Sequence, residues 1–149
     1  MGHPGVTVEL QSVGLRLRDA CVALEVTEDQ RRFVSRVSEY LALCERPGSP
    51  WKPFAVLREG EVVGFVMHGI DPADDSAWIG GLVIDRAHQR CGIGRAVVDL
   101  LVGRASDRGR ASALSYDASN AAAKALYDLA GFVETGETED DEIVARRPL

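Results

Sequence analysis

Apolar and polar residues alternate over residues 6–10, the signature of a half-buried strand. The spacing then changes. Over 15–25 leucines and alanines return at helical spacing, and a second helix is predicted over 29–43, where Phe33, Val37, Tyr40 and Leu41 share one stripe. Thr27 is placed to cap that second helix, with Gln30 three residues on at capping-box spacing. Arg46-Pro47-Gly48-Ser49-Pro50 stops it. β-Rich runs follow over 52–58 and 61–70, joined by Glu59-Gly60, a pair suited to a tight hairpin. After the turn at 71–75, a third strand is predicted over 77–84 with Gly80-Gly81 inside it, and glycines within a strand mark a bulge or a close backbone approach. Ile93, Val97, Leu100 and Leu101 fall on one face of a helix. Residues 112–116 read as a strand, 120–130 as a helix ended by Gly131, and 132–148 as a closing hairpin. This order predicts an α/β fold: one domain over 1–149 with a loose tail at 1–5, and a mixed sheet with helices on both faces.

Composition removes several classes of function. With 149 residues, 46% hydrophobic and 27% charged, the chain has the make-up of a globular domain rather than a disordered or fibrous one. Seventeen Lys and Arg against 23 Asp and Glu give a net charge of −6, which argues against a nucleic-acid partner. No apolar run reaches the roughly 18 residues of a membrane span, and the N-terminus lacks a signal-peptide apolar region. Cys21, Cys44 and Cys91 are too far apart for a disulfide framework or a metal cluster, and they point to a reducing cytoplasmic setting. His3, His68 and His88 show no ligand spacing either, so no metal is expected.

Local charge runs the other way around one glycine-rich segment. Strand residues Leu82-Val83-Ile84 lead through Asp85-Arg86-Ala87-His88 into Gln89-Arg90-Cys91-Gly92-Ile93-Gly94 and a helix. A helix N-terminus presents free N–H groups and the positive end of the helix dipole, which together bind phosphate oxygens. Glycines allow the close approach. Residues 86–110 hold six arginines, Arg95 among them, against two aspartates. Arg95 at a helix N-terminus opposes the dipole, but it suits an anionic ligand there. A tight turn with solvated arginines is the structural alternative. The dinucleotide pattern fails because Val97 stands where its third glycine belongs, and no Gly-Lys-Ser/Thr is present for a P-loop.

Gln89-Arg90-Cys91-Gly92-Ile93-Gly94 resembles the Q/R-x-x-G-x-G/A loop of the GCN5-related N-acetyltransferases (GNAT). Asn120-Ala121-Ala122-Ala123-Lys124-Ala125-Leu126-Tyr127, ending Ala130-Gly131-Phe132, resembles that family's second motif, at its usual separation. Trp78 through Asp85, Gly64-Phe65-Val66-Met67 and Thr135-Gly136-Glu137 are similar to the bacterial spermine/spermidine acetyltransferases. The resemblance implies a mostly antiparallel sheet with a splayed pair of parallel strands, acetyl-CoA as co-substrate, and direct attack of a primary amine on the thioester in a ternary complex. It implies a small-molecule amine acceptor, a polyamine first, and a homodimer. Protein N-termini, lysines, aminoglycosides, other amine metabolites, or a non-catalytic acyl-CoA-binding module are the alternatives. Gln89, Arg90, Cys91, Gly92, Ile93, Gly94 and Arg95 would hold the pyrophosphate. Leu82, Val83 and Ile84 would offer backbone groups to pantetheine and thioester, Asn120 would contact the pantetheine arm, and Tyr127 would face the sulfur.

Each role has physical content beside the resemblance. A phenol of pKa about 10 can protonate or stabilise an expelled thiolate, so Tyr127 fits the acid, although a packed core tyrosine is the bland reading. Asn120 or Ser119 can equally cap the helix that follows. An alkylammonium has no lone pair, so a base or a desolvating site is needed, with Glu25, Glu28, His68, Asp85 and Tyr116 as candidates. Acidic residues at 134–142 (Glu134, Glu137, Glu139, Asp140, Asp141, Glu142) and at 71–75 (Asp71, Asp74, Asp75) would attract a polycation, or form solvated turns.

Overall fold

In the computed structural model, which describes residues 6–149, the β-rich middle of the chain forms two long strands, Trp51–Arg58 (β2) and Glu61–Ile70 (β3). Glu59 and Gly60, both at positive φ, turn the chain between them. Glu9–Ser12 (β1) pairs antiparallel with β2, and Ala77–Ile84 (β4) antiparallel with β3. Ser112–Tyr116 (β5) runs parallel to β4. Glu142–Arg147 (β7) inserts between β5 and Val133–Glu139 (β6), so the seven strands lie in the order β1-β2-β3-β4-β5-β7-β6. This is the mixed α/β sheet that the element order predicts. The tail expected over 1–5 lies outside the described residues.

Alternation along the strands builds two cores. Val56, Val66 and Leu114 face one side, where Ile93–Asp107 (α4) buries Ile93, Val97, Val98 and Leu101. Ala121–Leu129 (α5) packs on the same side through Ala123 and Tyr127. Ala55, Phe65, Met67 and Val83 face the other side, against Leu17 and Cys21 of Leu15–Val22 (α1) and Val37 and Leu41 of Val37–Glu45 (α3). Each fully buried large side chain in these cores stabilises by about 1.5–3 kcal/mol.

Four expectations need correction. The first strand starts at Glu9, not Val6, and α1 ends at Val22, short of residue 25. The second helix is two helices, Glu28–Arg31 (α2) and α3, with a break over 32–36. Local polar bonds compete with the helix there: Ser35 N donates to Tyr40 Oη at 2.9 Å, and Arg36 N to Glu39 Oε1 at 3.3 Å. Thr27 does stand at the N-cap of α2, but its side chain makes no capping bond. Gln30 turns away from the predicted box and pairs with the amide of Gln89 at 3.1 and 3.2 Å.

The irregularity that matters most lies in β4. Phe65 pairs with Val83 and Met67 with Gly80, so β4 carries one residue more than β3 across this stretch, and Gly81 sits at φ +57°. On its other edge β4 pairs with β5 at two positions alone, Ala77↔Ser112 and Trp78↔Ala113. Past these the parallel strands part. The glycine pair therefore marks the bulge predicted from sequence, and a slot opens beyond it.

Candidate functional site

The slot is a cavity of about 440 Å³ between the parted strands, floored by β4 and β5 and closed by α4 and α5. A Cβ placed on Gly64 would lie 2.7 Å from the Val83 carbonyl oxygen, so that carbonyl points at β3. Backbone polar groups alternate sides along a strand. Those of Leu82 and Ile84 therefore face the slot, where no strand pairs with them. Buried amide groups of this kind require a partner, and a ligand carrying amides supplies one. Part of the need is met within the chain: Gln89 Nε2 donates to the Ile84 carbonyl at 2.7 Å.

At one end of the slot the chain enters α4. Arg90 (φ +60°) and Gly92 (φ +78°) are both left-handed, which brings the backbone of the loop round to point its N–H groups outward from the helix start. Ile93 locks the loop to the core at 1% exposure, and Gly94 has the Leu126 methyl 3.5 Å from where its Cβ would be. Arg90, Gly92, Ile93, Gly94 and Arg95 all line the cavity. Arg95 is also held by Asp99 through two contacts of 3.0 Å. Cys91 points elsewhere: it is exposed, and its Sγ donates to the Gln89 carbonyl at 3.4 Å. Val83 is likewise turned from the slot, its side chain 2% exposed in the core.

The opposite wall is α5. Asn120 caps that helix, its Oδ1 accepting from Ala123 N at 3.1 Å, which leaves the amide Nδ2 as the group free to donate. Both Asn120 and Tyr127 line the cavity. The Tyr127 ring packs between Tyr116 (centroids 5.7 Å apart) and Phe132 (6.1 Å). Burial, then the nearby charge of Glu142 and the Tyr40 phenol, push its pKa up to about 12. The phenol is therefore a hydroxyl donor at any physiological pH.

The five base candidates scatter. Tyr116 lines the slot, but its hydroxyl donates to Glu134 at 2.8 Å, and burial and that carboxylate raise its pKa to about 12, the wrong direction for a base. Asp85 is committed to structure, accepting from Glu25 N at 3.0 Å and Ala87 N at 3.2 Å. His68 lies on β3, away from the slot lining, with its pKa lowered by burial and by Arg104 and Arg110. Glu25 and Glu28 are exposed and outside the slot lining.

Beyond Gly81 a second cavity, about 510 Å³, adjoins the first. Phe33, Tyr40, Gly81, Ser115 and Glu142 belong to both. Its walls include Trp51, Met67 and Trp78, and its rim carries Asp71, Glu139 and Asp140. Arg146 pairs with Asp74 and Glu137, Arg110 with Asp75, and Lys124 with Glu134, so those acids are neutralised elsewhere. No Lys or Arg is among the described residues lining this second cavity. Sequence reasoning placed Glu142 within a charged turn and Tyr40 on a core stripe, and had no signal that strand splaying would bring both to the slot. Among the described residues no helix is long and apolar enough to cross a membrane, and no group of three His, Cys, Asp or Glu could hold a metal.

Comparison with known proteins meets this geometry. The profile of the acetyltransferase (GNAT) family matches residues 18–132. The [ribosomal protein bS18]-alanine N-acetyltransferase of Escherichia coli is 30% identical over 112 residues, 68% of this chain and 74% of that protein. The spermine/spermidine N(1)-acetyltransferase of Bacillus subtilis is 25% identical over 145 residues, 90% and 93% of the two chains. The crystal structure of the Escherichia coli ribosomal-protein-S18-alanine N-acetyltransferase superposes with a TM-score of 0.71 at 24% identity, covering 95% of this chain and 94% of that one. A bulged β4 parting from a parallel β5, a glycine loop at the N-terminus of α4, and a family profile spanning both motifs lead to one conclusion: this chain is an N-acetyltransferase of the GNAT family.

Proposed function

We propose that the chain transfers the acetyl group of acetyl-CoA to a primary amine by direct attack within a ternary complex, with a polyamine as the first-ranked acceptor. The observation that carries this reading is the slot, where unpaired strand amides, a helix N-terminus and a protonated phenol converge on one cavity. Bound acetyl-CoA supplies the thioester. The N–H groups at Gly92, Ile93 and Gly94, with Arg90 and Arg95, hold the pyrophosphate. Leu82 and Ile84 offer backbone groups to the pantetheine amides, and a strand N–H at the thioester oxygen stabilises the developing oxyanion. Asn120 donates through Nδ2 to the same arm. Gln89 keeps the loop in place by bonding Ile84 and Gln30.

Tyr127 faces the sulfur. A phenol with a pKa near 12 gives up its proton unwillingly to a thiolate whose conjugate thiol has an ordinary pKa of about 8.5, so it stabilises the leaving sulfur by hydrogen bonding as charge grows there. The polyamine ranking rests on the second cavity, where carboxylates without an ion-pair partner among the described residues and the rings of Tyr40 and Trp51 suit a cation, while Trp78 and Phe33 already carry Arg146 and Arg32. The three free thiols fit a cytoplasmic enzyme.

Release of free thiol from acetyl-CoA tests this reading across polyamines, diamines, amino acids, aminoglycosides and basic peptides. A peptide beginning with alanine joins the panel because a relative is named for that acceptor. Turnover with spermidine or spermine is expected. Turnover with another amine alone retains the transferase and discards the polyamine. Binding of acetyl-CoA without transfer to any of them makes the chain an acyl-CoA-binding module.

A further inference from the structure

Glu142 opens β7, next to the Asp140-Asp141 turn, and it is half-buried where the two cavities meet. Ser115 on β5, which pairs in register with Val144, reaches along β7 and donates through Oγ to Glu142 Oε1 at 2.9 Å. That bond fixes the carboxylate, and Oε2 has no hydrogen-bond partner among the described residues. Tyr127 on α5 and Tyr40 on α3 both lie close enough for the Glu142 charge to act on their phenols. A carboxylate with one oxygen anchored and the other open, between the sulfur-facing tyrosine and the acceptor side, is the arrangement a proton acceptor needs.

We propose that Glu142, oriented by Ser115, receives the N–H of the acceptor amine at the junction of the two cavities and takes its proton as the nitrogen–carbon bond forms. This rests on the acetyltransfer reading above. The timing follows from acidity. An alkylammonium of pKa about 10.4 has no lone pair with which to attack. The acceptor therefore arrives as its free-amine fraction. Once its lone pair has bonded to the acetyl carbon, the nitrogen carries positive charge beside an oxyanion and becomes a far stronger acid. Its proton passes to Glu142 and on to solvent. The carbon–sulfur pair leaves on sulfur, which accepts a hydrogen bond from Tyr127 and then a proton from solvent, balancing the one released through Glu142 and giving the N-acetyl amine and free coenzyme A thiol. Ser115 is a positioning residue, because it acts only through the carboxylate.

Steady-state rates with acetyl-CoA and spermidine, or the best amine of the panel, test this alongside acetyl-CoA affinity. Glu142→Gln keeps an oxygen that accepts the amine N–H but cannot take its proton. Its kcat is expected to fall about 100-fold, within the usual range for a general base, with acetyl-CoA Kd within twofold of wild type. Glu142→Asp should recover part of that loss, and Ser115→Ala should lose less than tenfold. A Glu142→Gln kcat within threefold of wild type overturns the assignment. If that variant loses acetyl-CoA binding, Glu142→Ala with added formate decides instead: recovery of rate supports the role, and no recovery overturns it. Absence of transfer by the wild-type enzyme itself overturns the acetyltransfer reading, and this one with it.

Discussion

Tyr127 shows how little a side chain's identity says before its surroundings are known. From sequence it is one tyrosine on a helix, suited to an acid or to a core. The fold buries its ring against Tyr116 and Phe132 and raises its pKa to about 12, so the hydroxyl is a donor at every pH the enzyme meets. We expect Tyr127→Phe to lower kcat by about 10- to 100-fold, the worth of one hydrogen bond to a charged group. Acetyl-CoA Kd, measured by titration calorimetry, should stay within about twofold, and an unchanged kcat would remove Tyr127 from the mechanism. The base is the opposite case. Tyr116, Asp85, His68, Glu25 and Glu28 all had suitable chemistry, and none is both free and in place. Glu142 was visible only as one member of an acidic run, because nothing in its neighbours along the chain reveals that Ser115 bonds it where the two cavities meet.

At the scale of elements, the loop from β4 into α4 was the most legible feature of the chain. Its glycines, the strand before it and the apolar stripe after it are all local, and local patterns survive folding. Gly92 is held at φ +78° at the N-cap of α4. Gly92→Ala would put its Cβ in ordinary contact with Val6 Cγ2 at 3.6 Å, without a clash, so the cost is the left-handed backbone at about 1–2 kcal/mol. We predict a Tm lower by about 2–8 °C and acetyl-CoA binding weakened several-fold, read by differential scanning fluorimetry with and without the ligand; an unshifted Tm would show that the loop tolerates the change. The helices before β2 were the least legible. Helical periodicity over 29–43 continues straight through residues 32–36, yet bonds from Ser35 to Tyr40 and from Arg36 to Glu39 break the helix. The break delivers Phe33 and Val34 to the mouth of the slot.

For the whole molecule, the net charge of −6 matters less than its distribution. Arg146, Arg110 and Lys124 neutralise one group of acids, while Asp71, Glu139, Asp140 and Glu142 are left along the second cavity. Raising salt from about 0.05 to 0.5 M shortens the Debye length from over 10 Å to under 5 Å. KM for spermidine should rise several-fold over this range and KM for a monoamine much less; equal rises would dismiss the cavity charge. Alkaline stability follows from buried acids: burial pushes the Cys21 thiol up to about 11 against an ordinary value near 9 and raises the Tyr40 phenol, and two further phenols add to it. Tyr116 and Tyr127 titrate near 12 when folded, against an ordinary value of 10, so above pH 10 the unfolded chain loses protons that the folded one keeps. Their contribution is complete below pH 10 and is lost as pH rises through 12. Thermal melts from pH 8 to 11.5 should show Tm falling above pH 9, where the unfolded Cys21 thiol ionises, and more steeply above pH 10, with the second phase reduced in Tyr127→Phe.

The sequence by itself determined the α/β class, the element order apart from one split helix, the bulge at Gly80-Gly81, and the two motifs that announce the family. Those are properties of neighbours along the chain: periodicity, turn chemistry, and glycines placed where backbone must approach closely. Only the tertiary structure decided what faces the slot. It put β7 between β5 and β6, so that Glu142 reached Ser115, and it stopped the β4–β5 ladder after two pairs. It also turned Val83 and Cys91 away and bound the Gln89 amide to Ile84 and Gln30. The splay itself was expected from the family resemblance and the Gly80-Gly81 bulge, but strand order and the residues that reach the slot depend on which distant surfaces pack together, and no local pattern in the chain encodes that choice.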